Sequence, residues 1–262
     1  MKLNIVPARM GLHWVRLGIK TFFRQPLALT SLFFMYTAAA SVLSLLPVVG
    51  IVLALAIVPA ATLGLMAATK EAESGRFPTP AVLVSAFRTG RQRLRAMLVL
   101  GVIYAAACLA ILALVPLIVS LPATEVPADA EAAMSPQFQL AVLVGAALYL
   151  PVSLMFWHAP ALVHWHGITP LKSLFFSTVA CLRNAGAMTL FGLGWMGIMF
   201  IASSAIVMVA AATGNPQVAA TALVPAVLLM TAMFTTSFYF TFRDSFVATP
   251  DEETTRQPGE PP

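Results

Sequence analysis

The chain has 262 residues, of which 60% are hydrophobic and only 10% charged, with a formal net charge of +5. Soluble domains hold roughly 45–50% apolar and about 25% charged residues, so this composition excludes an ordinary water-soluble globule and requires lipid as part of the solvent. With two cysteines, Cys108 inside an apolar stretch and Cys181 outside one, a disulfide scaffold is excluded as well.

The first predicted element is an amphipathic helix over residues 8–25. Arg9, His13, Arg16, Lys20 and Arg24 recur every three or four residues, which at about 100° per residue confines them to one narrow face. Leu12, Trp14, Val15, Leu17, Ile19, Phe22 and Phe23 cover the rest. Pro7 suits the helix start and Pro26 its stop. Such a helix is expected to lie among headgroups, with cations toward anionic lipid or cytosol, apolar side chains in lipid and Trp14 at interfacial depth.

Six apolar windows follow, at residues 27–46, 51–69, 97–121, 138–157, 187–212 and 218–242. Each is close to the roughly 20 residues needed to cross a hydrocarbon core about 30 Å thick. The small residues Ala38, Ala40 and Ser41 resemble a signal-cleavage site. The long charged leader and the immediate return of apolar sequence favour an uncleaved span.

Before the third window Ser85, Arg88, Gln92 and Arg95 share one face, with Leu83, Phe87 and Leu94 opposite. Before the fifth, Lys172, Ser173, Ser177 and Asn184 oppose Leu171, Leu174, Phe175, Val179 and Leu182. The predicted architecture is therefore all-α: an integral membrane bundle of six transmembrane helices in three hairpins, with cytoplasmic amphipathic helices before helices 1, 3 and 5. It forms a single domain over residues 1–247, followed by a Pro- and Glu-rich tail, residues 248–262, expected to be disordered and cytoplasmic.

Orientation follows from the basic residues. All fifteen Lys and Arg fall in the N-terminal segment, the second and fourth connections and the region after the last window. The connections on the other side carry none, and the one between the third and fourth windows holds Glu125, Asp129 and Glu131. Cytoplasmic loops collect Lys and Arg, so both termini are expected in the cytoplasm.

Within the windows no Asp, Glu, Lys, Arg or His lies deep in an apolar run, which argues against proton relays and voltage sensing. Ala56, Ala60, Gly64 and Ala68 form a small-residue row suited to close helix packing. Pro59, Pro116, Pro151 and Pro225 are expected to kink their helices. Thr231, Thr235 and Tyr239 align on one face as a candidate polar cavity, against the simpler alternative of hydroxyls bonded to a backbone carbonyl one turn back. His158, His164 and His166 alternate with Trp157 and Trp165, a pattern that fits an interfacial belt better than a metal site.

Taken together, Val6-Pro7-Ala8-Arg9, Gly11, Trp14-Val15, Gly18, Phe22, Arg24 and Pro26, then Ala159-Pro160-Ala161-Leu162-Val163 with His166-Gly167, and Leu182-Arg183-Asn184, resemble an uncharacterised family of multi-pass inner-membrane proteins from β-proteobacteria. The hairpin plan is also distantly similar to the membrane domain attached to some glycerophosphodiester phosphodiesterases. The resemblance implies the bacterial inner membrane as location and brings no activity, cofactor or site residue.

Two function classes compete on the residues alone. The first is a non-enzymatic inner-membrane protein that organises lipids or partner proteins, with Arg9, Arg16, Lys20, Arg24, Arg88 and Arg95 as candidate contacts to anionic headgroups. The alternative is a permease or exporter for a small neutral or lipid-like substrate. No enzyme activity, cofactor, metal or nucleic-acid partner is expected, since converging acid-base, nucleophilic and ligating groups are not seen in the pattern. A protein partner or a homo-oligomer is compatible with either class.

Overall fold

A computed structural model describes residues 2–88, 90–120 and 135–247. The chain begins with a short strand, β1 (Lys2–Leu3), followed by the helices α1 (Met10–Arg24), α2 (Pro26–Ser44), α3 (Gly50–Ala56) and α4 (Val58–Glu73). A single 3₁₀ turn (Pro80–Val82) precedes α5 (Ser85–Arg88) and the long α6 (Arg91–Val119). After the undescribed stretch come α7 (Pro136–Phe156), α8 (Ala159–His166), α9 (Pro170–Arg183), α10 (Ala185–Ala212), α11 (Pro216–Thr236), α12 (Phe238–Ser245) and β2 (Phe246–Val247).

Six helical runs are long and apolar enough to cross a bilayer: Pro26–Ser44, Gly50–Glu73, Arg91–Val119, Pro136–His166, Ala185–Ala212 and Gln217–Ser245. A helix pairs its backbone groups along its own length, which is what permits a chain to cross hydrocarbon. Their best windows have mean hydropathies from 1.6 to 2.8. Large apolar side chains such as Leu117, Leu143, Phe200, Ile201 and Met208 stand exposed along them, as a surface solvated by acyl chains requires. The protein is an all-α membrane bundle. The acidic loop residues Glu125, Asp129 and Glu131 and the tail from residue 248 lie outside the described residues.

The chain divides into two compact units. One gathers the chain up to Tyr36, Thr62–Ser85 and the residues from Val179 onward; the other holds Thr37–Ala61 and Ala86–Thr178. In the first unit Phe22, Leu29, Leu32, Phe33, Leu65, Ala68, Ala72 and Ala232 form one core. The ends of the described chain meet there: β1 pairs antiparallel with β2, Lys2 opposite Val247 and Leu3 opposite Phe246. In the second unit α6 packs on α3, α7 and α8.

Several elements depart from the sequence reading. The predicted amphipathic stretch before the third span is not one helix: α5 stops at Arg88, and Gly90, at φ +95°, separates it from α6. Arg88 and Arg95 therefore share no continuous helical face. The left-handed backbone at Gly90 is open to glycine without steric cost, and a period of 3.6 in the flanking residues cannot reveal such a break. Pro116, Pro151 and Pro225 sit within uninterrupted helices, while the second span breaks at Ile57, two residues before Pro59.

Candidate functional site

In the first unit, side-chain hydrogen bonds and an ion pair gather around α1. Gly11, Trp14, Val15, Gly18, Thr21 and Phe22 form its buried face. Gly11 and Gly18 are two turns apart with Trp14 between them, and both mark close approaches. A Cβ on Gly11 would collide with the Ala187 carbonyl oxygen and the Phe191 amide of α10; one on Gly18 would collide with Ser237, between α11 and α12. Trp14, fully buried, meets Phe191 edge to face and donates its indole N–H to Asp244 Oδ2 at 2.8 Å.

This corrects the expectation that the apolar face of α1 lies in lipid. Helix–helix contact is favoured here because the two glycines let backbones approach to van der Waals distance, and because a buried indole N–H finds an anionic acceptor that acyl chains cannot supply. What remains outward is narrower. Leu12 and Phe23 are exposed and Ile19 half-buried, forming a flank beside the exposed Arg9, His13, Arg16, Lys20 and Arg24.

Around α1, side chains bind segments distant in sequence. Asp244 also accepts from Arg243 Nε at 2.8 Å, and Arg243 reaches Glu73 Oε1 at 2.6 Å while lying over the Phe240 ring. Tyr239 is buried beside Glu73. Arg24 donates to the Glu73 carbonyl and Gln25 to that of Arg76, which caps the end of α4 with a cation. Asn184, nearly inaccessible, accepts from the Val6 amide at 2.9 Å and donates to the Asn4 carbonyl at 3.1 Å.

The candidate headgroup contacts thus differ in state. Arg24 is engaged with α4, whereas the side chains of Arg9, Arg16 and Lys20 make no hydrogen bond or ion pair among the described residues. A shallow concavity of about 400 Å³ lies along Arg9, Met10, Leu12, His13 and Arg16. Arg88 is exposed on α5, and Arg95 on the first turns of α6.

The small-residue row is used at separate places. In the second unit Ala56 offers its carbonyl to the backbone notch at Gly101; in the first, Gly64 faces the Leu83 backbone and Ala68 enters the core. Ala60 is buried. The hydroxyls of Thr231 and Thr235 bond to the carbonyls of Val227 and Ala232. Thr231 lines a groove of about 420 Å³ whose other walls are Gly192, Trp195, Met196, Met199, Met230 and Phe234. The groove is apolar, because these threonines spend their hydroxyls on their own helix.

His158 and His164 are buried within the second unit. Ser177 ties the start of α8 to α9, accepting from the His158 amide at 2.9 Å and donating to the Leu154 carbonyl at 2.7 Å. Both cysteines are free thiols.

A probable inner membrane protein of Burkholderia thailandensis is 38% identical to this chain over 256 residues, covering 94% of each sequence. The chain belongs to that family of inner membrane proteins. No family model and no solved structure matches it. With six apolar helices it is a multi-pass protein of the inner membrane.

Sequence reasoning gave no role to Asp244 or Glu73 and read Asn184 only as part of a polar helix face, yet the three hold this part of the first unit together. A signal for α1 docking was present: Gly11 and Gly18 flank Trp14 on the face opposite the cations. Small residues seven apart around a large aromatic mark backbone contact more than lipid exposure.

Proposed function

We propose that this protein is a non-enzymatic membrane component that organises lipids or partner proteins, and that α1 is its contact with anionic headgroups. The observation that carries this reading is the combination on one helix of a docked face and a free cationic face. Trp14, Gly11 and Gly18 hold α1 against α10 and α12, while Arg9, His13, Arg16 and Lys20 remain outward beside the exposed Leu12 and Phe23. A basic row flanked by apolar side chains suits the headgroup boundary of an anionic leaflet, and its rigidity removes the ordering cost of recruiting it. The distribution of Lys and Arg supports an orientation with both termini cytoplasmic.

The test is lipid retention by the full-length protein in mixed phosphatidylglycerol and phosphatidylcholine nanodiscs. Each basic residue near an anionic surface is worth about 1 kcal/mol, roughly fivefold. The variant R9Q/R16Q/K20Q should lose most of the preference for phosphatidylglycerol and stay folded, since all three side chains are exposed and none makes a hydrogen bond or ion pair among the described residues. An unchanged preference counts against the proposal.

The apolar groove beside Thr231 supports a second reading, a permease or exporter for a lipid-like molecule. A Cβ placed on Gly192 meets no atom within 4 Å beyond its own stretch of helix, so Gly192→Phe projects a ring into the groove, and an unchanged unfolding midpoint would show that the fold is kept. Transport of a lipid-like substrate in proteoliposomes that Gly192→Phe abolishes would favour this reading over the first.

A further inference from the structure

The second unit contains a cavity of about 410 Å³ where the start of α6 meets the turn into α9. Its floor is Gln92, Ala96 and Val99, stacked along one face of α6, and Arg93 and Arg95 stand on either edge of that floor. Val163 and Ile168 add an apolar wall, and Thr169 and Pro170 bring in the first turn of α9. The size falls within the range of small-molecule sites, roughly 300–1,000 Å³.

The electrostatics of this corner are unbalanced. α6 opens with Arg91, Arg93 and Arg95, has no acidic residue in its first turn and lacks a side-chain cap. Cations at a helix N-terminus face the positive end of the macrodipole. α9 also begins without an acidic residue, and Lys172 lies in its first turn. Gly167, at φ +65°, ends α8 and turns the chain so that this second positive helix end opens on the same cavity. Neither Arg93 nor Arg95 has an ion-pair partner among the described residues.

We propose that this cavity binds the phosphodiester of an anionic phospholipid, with Arg93 and Arg95 gripping the phosphate and Val99, Val163 and Ile168 receiving the glycerol and upper acyl carbons. Two arginines and two helix N-termini supply the charge complement of a phosphate. The apolar wall, at the point where α6 enters its membrane-spanning stretch, selects a lipid over a soluble phosphate. The inference rests on the lipid-organising reading and adds to it a discrete site, separate from α1.

Native mass spectrometry of the full-length protein, released from nanodiscs containing phosphatidylglycerol and phosphatidylcholine, tests it. The wild type should retain phosphatidylglycerol, R93Q/R95Q should retain it on the order of 25-fold more weakly, and R93K/R95K should recover part of the loss. Val99→Trp, which fills the apolar wall while leaving both charges, should weaken retention as well. Millimolar inorganic phosphate should fail to displace the lipid; displacement would overturn the lipid assignment in favour of a soluble phosphate ligand. Equal retention by wild type and R93Q/R95Q, with R9Q/R16Q/K20Q reduced, would overturn this site alone. Loss of lipid preference in the wild type itself would overturn the broader reading.

Discussion

Trp14 shows how one side chain can dock a whole helix. Its indole N–H meets an acceptor that is itself charged, and hydrogen bonds to charged groups are worth about 1.5–3 kcal/mol. The Arg243–Glu73 pair is shorter, yet both side chains are about a third exposed, at 37% and 31%. Solvent screening brings such a pair to about 1 kcal/mol or less. Trp14→Phe should therefore lower stability more than Glu73→Gln, by about 1 kcal/mol, in the unfolding midpoint of the detergent-solubilised protein. Gly11→Val, which drives a side chain into the Ala187 carbonyl, should do more than either and expose α1 to protease. A ranking in which Glu73→Gln costs most would mean that the docked face is not what secures the helix.

At the scale of elements, the spans were legible because physics leaves little choice: about 20 apolar residues are needed to cross, and the prediction of 27–46 against the observed Pro26–Ser44 differs only at the ends. The fate of α1 was not legible, for a reason specific to membrane proteins. An amphipathic period states that one face is covered by something apolar, and both lipid and protein meet that description. The pairing of β1 with β2 was hidden too, since it depends on residues more than 240 apart and on Asn184, whose neighbours in sequence give no hint of Asn4 or Val6. Asn184→Ala removes the acceptor for the Val6 amide and the donor for the Asn4 carbonyl. Amide exchange over residues 3–6 should rise about tenfold or more, at roughly 1–3 kcal/mol per buried group left unpaired, while exchange in the body of α10 stays unchanged. Unchanged exchange at Val6 would show that the N-terminal segment is held by other contacts.

The whole molecule combines an apolar membrane bundle with cationic groups along α1 and at the start of α6. The spans expose large apolar side chains, and the exposed cations of α1 and of α6 are the groups proposed to bind anionic lipid. The measurement that tests this most directly is cross-linking with photoactivatable phosphatidylglycerol in membranes, followed by mapping of the adducts. Adducts should form along the flank of α1 at Leu12, Ile19 and Phe23 and be missing from Trp14 and Phe22, and a phosphatidylcholine probe should label the flank several-fold less. Labelling of Trp14 and Phe22, or equal labelling by the two lipids, would contradict the account.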